Sequence, residues 1–332
     1  MHFQRAARTD KGVSAVKQII SLNLPLEWDK LIPAINQRLP KQIRIITARR
    51  VTKYFDAKNF CDARSYSYLM PTYALCPVDQ TVQETYRATS EVLQQFNDVL
   101  RLYLGTHNYH NFTSQKSSSD PSASRYIIEI ECGQPFLNEQ NMEFVKIRVK
   151  GQSFMLHQIR KMIGLAIAVM RGYATHETIY NAFNIIRIDI PKAPGLGLML
   201  EEVHYDRYNT KYGGDGMHDA LTWDEFNHVI DRFRQEAIYP VIYETEKNEK
   251  SMMEWLKLLP LHAYDVREPG AHRDNAGRML EIAAKNAGLF QIKKTNDSKD
   301  NEISKVDEVN QEVDCKEEEC EVKGEDEYNE IL

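Results

Sequence analysis

Residues 5–15 read RAARTDKGVSA, and the rest of the chain is understood outward from them. Asp10 stands between Arg8 and Lys11, with Gly12 two places on. Nearby opposite charge favours the ionised form of a carboxylate. An ionised, positioned carboxylate can act as nucleophile, general base or metal ligand. Asp-Lys-Gly is also turn chemistry, because Gly12 permits positive φ. Behind the turn, Ile20, Leu22 and Leu24 alternate with Ser21 and Asn23, the period of a half-buried strand. The stretch therefore predicts a loop that presents Asp10 at the head of a strand. Read alone, an Asp-x-Gly of this kind is most often only a turn.

Further elements follow in order. Trp28, Leu31, Ile32, Ile35 and Leu39 keep helical spacing up to Pro40, with Pro33 an objection inside the run. Ile43, Ile45 and Ala48 predict a second extended segment. ARSYSY at 63–68 predicts a strand with Arg64, Tyr66 and Tyr68 on one face; two tyrosines so placed are ordinarily sheet packing. An amphipathic helix is expected from Glu91 to Tyr103, and two paired strands at Arg125–Glu131 and Met142–Lys150. His107 and His110 lie close in sequence, but with no carboxylate or cysteine beside them they are poor metal candidates. Gly151–Gly172 predicts a buried helix through Ile159, Ile163, Ala166, Ile167 and Met170. Arg160 stands within it, and an unpaired buried guanidinium is costly, so it needs a carboxylate or must extend its head to water. Pro194, Gly195 and Gly197 shape a tight approach to a strand carrying Leu196.

Four of these stretches resemble one family. RTDKGVSA resembles the catalytic motif R-T-D-x-G-V-[HS]-A of the TruA-type tRNA pseudouridine synthases, in its eukaryotic nuclear and mitochondrial branch. ARSYSY resembles that family's A-R-x-Y-x-Y segment, GTHNYHNFT its structural turn, and FMLHQIRKMIG its third motif. The resemblance implies Asp10 as the essential residue, Arg160 as its ion-pair partner, and Tyr66 as the ring that stacks on the target base. Arg8 would take the place of the extruded base or bind its phosphate. Lys11 and Arg64 are further RNA contacts, and Leu196 floors the base pocket or is simply a core leucine. The reaction is an isomerisation without a redox step, so no cofactor and no metal are implied.

Composition is compatible with this. The 332 residues are 42% apolar and 27% charged, as in globular chains. The apolar run around Met162–Met170 is too short to span a bilayer. Five scattered cysteines make no disulfide framework, which fits a reducing compartment. The net charge of −6 conceals an asymmetry. Residues 293–332 hold six Lys against fifteen Asp and Glu, a net of −9, which leaves +3 for the rest. A mildly basic body suits RNA.

The expected fold is α+β: an antiparallel sheet running across two domains, helices packed on it, and the site in a cleft between them. Expected divisions are 1–60, the catalytic-Asp domain; 61–212, the remainder of the synthase core; 213–292, a helical extension; and 293–332, an acidic disordered tail. The family's usual first strand and tRNA-gripping loop have no counterpart before Asp10, which is read as a shortened N-terminus. The implied partner is tRNA, with structured mRNA or snRNA as a further class. The protein is expected to be a monomer of the nucleus or mitochondrion. Two other readings compete: a non-catalytic RNA-binding or RNA-folding module, and an unrelated hydrolase or metal enzyme using Asp10 with His107 and His110.

Overall fold

The computed structural model describes residues 3–24, 27–114, 116–264 and 266–267. All of them belong to one compact unit, Met1–Leu289. The acidic tail and the end of the expected helical extension lie outside the described residues.

The chain starts with three two-residue strands, β1 (Gln4–Arg5), β2 (Ser14–Ala15) and β3 (Ile20–Ser21). β1 and β3 pair antiparallel, with Gln4 opposite Ser21. The strand expected from Ile20 to Leu24 is cut to its first two residues, and both Ile20 and Leu24 are 42% exposed. A backbone stays in a strand only where its N–H and C=O groups find a ladder, and β1 supplies just two residues of one. Helix α1 (Trp28–Asn36) follows, with Pro33 inside it. The extended segment expected at Ile43–Ala48 joins no sheet. It is tied instead to the end of α1, where the Asn36 amide donates to the Ile45 carbonyl (2.8 Å) and accepts from its N–H (2.9 Å).

The strands that follow are β4 (Ala63–Pro71), β5 (Gly105–Asn108), β6 (Ser124–Cys132), β7 (Phe136–Leu137), β8 (Glu143–Gly151), β9 (Arg187–Ile188) and β10 (Leu198–His204), and all but β9 join β2 in the main sheet. Between them come α2 (Ser90–Arg101), α3 (Gln158–Met170) and α4 (His176–Ala182). Seven strands form the sheet in the order β2-β10-β4-β8-β6-β5, with β7 attached to β8. Every pairing is antiparallel except β2 with β10. This is the expected α+β class. GTHN, expected as a turn, is the edge strand β5.

Period-2 alternation sorts the two faces of the sheet. Tyr66 and Tyr68 lie opposite Val149 and Ile147, and all four are buried. Lys146, Arg148 and Lys150 point to the other face. α2 lies over β6 and packs against α3, and Tyr103 beyond its end donates its hydroxyl to the Met162 carbonyl at 3.0 Å. Two glycines allow backbones to meet. A Cβ on Gly164 of α3 would stand 2.1 Å from the Pro191 carbonyl oxygen, and one on Gly197 would stand 2.1 Å from that of Leu69. The first lets residues 191–193 lie directly on α3; the second lets the lead-in to β10 lie against β4.

Beyond β10 the chain is helical as expected: α5 (Asp206–Tyr212), α6 (Asn227–Phe233), a π-helical turn (Arg234–Ile238), α7 (Tyr239–Glu249) and α8 (Ser251–Leu256). These helices are bound to the sheet by Arg234 to Glu201 (3.0 Å) and by the Tyr73 hydroxyl to buried Glu246. No described helix is long and apolar enough to cross a membrane.

Candidate active site

The Asp10 loop hangs between two anchors. At its start, Ala6 and Ala7 are buried. The Ala6 N–H donates to Ile19 O at 2.8 Å, and the Gln18 side chain bonds Ala7 in both directions (3.2 and 2.8 Å). At its end, β2 pairs with β10, and Val16 N–H donates to Leu200 O at 2.8 Å. Between the anchors the turn closes by Val13 N–H to Asp10 O at 3.0 Å, with Gly12 at φ +79°. A residue with a Cβ is strained at that angle, which is why glycine stands there.

Arg160 reaches the loop from the first turn of α3. Its Nη1 donates to Asp10 Oδ2 at 3.3 Å, and its Nε donates to the Ala193 carbonyl at 2.8 Å. The Ala193 N–H returns a bond to the Arg160 carbonyl at 3.1 Å. The guanidinium is therefore gripped on one edge and aimed by the other. The close contact at Gly164 makes this possible, because it sets residues 191–193 against the helix. Gly195 completes the enclosure: its missing Cβ would lie 3.4 Å from Lys11 O and 3.6 Å from Arg160 Cζ. The Asp10 and Arg160 side chains are 20% and 12% exposed, enclosed but reachable.

Tyr66 projects from the core face of β4 and meets Phe154 edge-on, ring centroids 5.2 Å apart. Burial pushes its phenol up to about 12; Arg64 pulls it down and the Asp10 charge pushes it further up. The phenol is thus neutral at physiological pH and within electrostatic reach of Asp10. Its neighbour on that face, Tyr68, donates to Pro194 O at 2.8 Å and so supports the turn before Leu196. Leu196 is partly buried against the core.

The structure thus brings Asp10 and Arg160 into contact from distant parts of the chain and sets Tyr66 within electrostatic reach of Asp10. Arg8 and Lys11 are exposed on the loop beside Asp10. Arg64 is used on the backbone: Nε and Nη2 donate to Ala6 O at 3.2 and 2.8 Å, and Nη1 to Gln152 O at 3.4 Å. It pins the foot of the Asp10 loop to β4. His107 stacks on Phe183 with centroids 4.2 Å apart, and His110 is buried beside Asn108. Among the described residues no three His, Cys, Asp or Glu side chains converge as a metal site would need.

One neighbour escaped the reading of the sequence. His157, immediately before α3, places Nε2 3.7 Å from Asp10 Oδ2. Burial and the charge of Lys192 lower its pKa to about 4, with Arg160 and Lys161 acting the same way and Asp10 opposing. A lone histidine ahead of an apolar helix carries no signal in sequence that would single it out.

Comparison with known proteins agrees with the motifs. A family model described as tRNA pseudouridine synthase matches residues 99–206. The chain is 52% identical over 267 residues to the pseudouridylate synthase 1 homolog of Homo sapiens, covering 80% of this chain and 62% of that protein. It is 50% identical over 272 residues to the Mus musculus homolog, covering 82% and 64% respectively. To tRNA pseudouridine synthase 1 of Kluyveromyces lactis it is 35% identical over 324 residues, 74% of this chain and 58% of that one. The chain spans less than two thirds of the length of these curated relatives.

Proposed function

We propose that the chain is a TruA-type tRNA pseudouridine synthase, as its likeness to proteins of that name supports, and that it isomerises uridine to pseudouridine in tRNA with Asp10 as the essential carboxylate. The observation that carries the reading is the contact of Asp10 Oδ2 with Arg160 Nη1 at 3.3 Å, with the Tyr66 phenol within electrostatic reach of that carboxylate. An acid, its orienting cation and an aromatic face are what the chemistry needs.

The reaction breaks the bond from ribose C1′ to uracil N1, turns the base, and joins C1′ to C5. The proton on C5 leaves and N1 gains one, so atoms and electrons balance without an oxidant or reductant. Asp10 attacks or stabilises the sugar or base, or takes the sugar proton. Arg160 holds one carboxylate oxygen by a charge-assisted hydrogen bond and so limits the rotamers Asp10 can take. Tyr66, a neutral phenol, offers its ring as a stacking surface for the uracil, a contact tolerant of the base's rotation. Its raised pKa favours this role over that of phenolate base in the unliganded site. Arg8 and Lys11, exposed on the same loop, meet phosphates or fill the gap left by the flipped base, and so offset the few kcal/mol, roughly, that unstacking costs. Leu196 closes the floor of the base pocket. Uridines of the anticodon stem are the proposed targets.

The test is mass-spectrometric mapping of pseudouridine in tRNA incubated with the 332-residue chain. The wild-type chain is expected to form product. Asp10→Ala and Asp10→Asn are expected to bind tRNA nearly as well and form none. Product from Asp10→Ala would remove Asp10 from the mechanism. Tight tRNA binding without turnover by the wild type would instead favour a non-catalytic RNA-binding module.

A further inference from the structure

His157 has a backbone that histidine seldom adopts. Its φ is 63° and ψ is −1°, in the left-handed region. Glycine or asparagine is the usual occupant, and a larger side chain there costs about 1–2 kcal/mol. The neighbouring residues hold the conformation. Gln158 is fully buried; its N–H donates to Met155 O at 3.1 Å, and its Oε1 accepts the Met155 N–H at 2.9 Å. The His157 carbonyl starts the helix by accepting Lys161 N–H at 3.0 Å. Its side chain makes no capping bond to α3, so the helix gives no reason for an imidazole here. The ring turns instead to the carboxylate. Nε2 lies 3.7 Å from Asp10 Oδ2, the same oxygen that Arg160 Nη1 reaches at 3.3 Å, and the side chain is 17% exposed. Strain of this kind persists where the surroundings enforce it, and it gathers at functional sites.

We propose that His157 is a positioning residue for Asp10: its Nε2–H donates to Oδ2 once tRNA closes the site, and with Arg160 it fixes the orientation of the carboxylate. This rests on the reading of Asp10 as the essential residue. Hydrogen bonds in unliganded sites are often long and tighten in the complex, so 3.7 Å is compatible with the role. Four charged groups face the imidazole: Asp10 on the loop, Arg160 and Lys161 on α3, and Lys192 on the segment before β10. Three of them are cations. Together with burial they keep the ring neutral at physiological pH, so it orients Asp10 through a dipole and leaves charge compensation to Arg160.

Two substitutions separate this role from a structural one, since both suit the left-handed backbone. His157→Gly removes the side chain, and His157→Asn keeps a shorter amide donor. Measured on the full chain with tRNA, His157→Gly is expected to lower kcat by about 10- to 100-fold with KM little changed, while its melting temperature holds or rises. His157→Asn is expected to recover part of the loss. Unchanged kcat in both, or a loss that only follows melting temperature, overturns the proposal. A second measurement needs no turnover: titration of the His157 ring by NMR in the wild type and in Asp10→Asn. Removing the carboxylate is expected to move the midpoint to lower pH, and an unmoved midpoint overturns the pairing. A shifted midpoint in a chain that makes no pseudouridine would sink the enzyme reading while the pairing stands.

Discussion

Two carboxylates are tied to the main sheet, and they are treated in opposite ways. Glu201, in β10, is held through both oxygens. Ser67 Oγ donates to Oε1 at 2.6 Å, Lys146 Nζ reaches the same oxygen at 2.6 Å, and Arg234 Nη2 reaches Oε2 at 3.0 Å. Burial pushes the Glu201 carboxyl up, but Lys146, Ser67 and Arg234 together bring it below its usual range. Asp10 is approached at Oδ2 by Arg160 at 3.3 Å and by His157 at 3.7 Å. A carboxylate engaged at both oxygens by three partners holds structure together. One that is gripped loosely on one side still has capacity to attack or accept a proton. On the function proposed above, the number of partners separates a joint from a reactive group.

That contrast can be broken or sharpened by experiment. The largest effect after Asp10 itself belongs to Arg160. Arg160→Met is expected to lower kcat for pseudouridine formation by about 100-fold or more, with tRNA affinity little altered. Arg160→Lys is expected not to recover it, because one ammonium cannot serve Ala193 O and Asp10 Oδ2 together with the fixed geometry of a guanidinium. Full activity in the lysine variant would show that charge alone suffices.

Glu201→Ala should do the reverse. It leaves Lys146 and Arg234 without their shared anion and should destabilise the fold by about 3–5 kcal/mol, read by chemical denaturation. Turnover per folded molecule below the melting transition is expected to stay near that of the wild type. Asp10→Ala, by contrast, should change stability by no more than about 1 kcal/mol. If the two variants exchanged these behaviours, the distinction drawn from the number of partners would be wrong.

Gly164→Ala tests how the grip on Arg160 is made. The added methyl meets the Pro191 carbonyl oxygen at 2.1 Å, so the segment carrying Ala193 must shift. A loss of about 1–3 kcal/mol is expected, together with a fall in kcat. A destabilised variant with unchanged kcat would mean that the Ala193 latch is dispensable. The smallest effect is in pH. The folded-state pKa of Glu201 is depressed from its ordinary 4.5. Its stabilisation is therefore complete above that value and disappears as pH falls through the folded-state pKa. The stability gap between wild type and Glu201→Ala should be level near neutrality and close in acid. A gap that widened below pH 4.5 would contradict the sign of the shift.

Where local pattern and tertiary context agree, the chain can be read directly. β8 alternates from Val145 to Val149 because one of its faces is buried under helices, and α2 and α3 show their apolar stripes for the same reason, whereas β4 is buried on both faces from Tyr66 onward. The segments at Ile20–Leu24 and Ile43–Ala48 carry similar alternation but differ in outcome. The first finds a two-residue partner, and the second bonds to the Asn36 side chain. Alternation reports a preference for extended backbone; a ladder needs a neighbour, and the neighbour is not written in the segment.

The site divides along the same line. The turn that Gly12 permits was determined by the sequence itself, because backbone freedom is a local property, and Asp10, Tyr66 and Arg160 were singled out as candidates by motifs that resemble those of the family. Tertiary structure alone decided that Arg64 pins the Ala6 carbonyl, that Ala193 latches Arg160, and that His157 faces Asp10. Each of those contacts joins residues far apart along the chain, and only the closing of the sheet and the close approach at Gly164 bring the partners within a few ångströms.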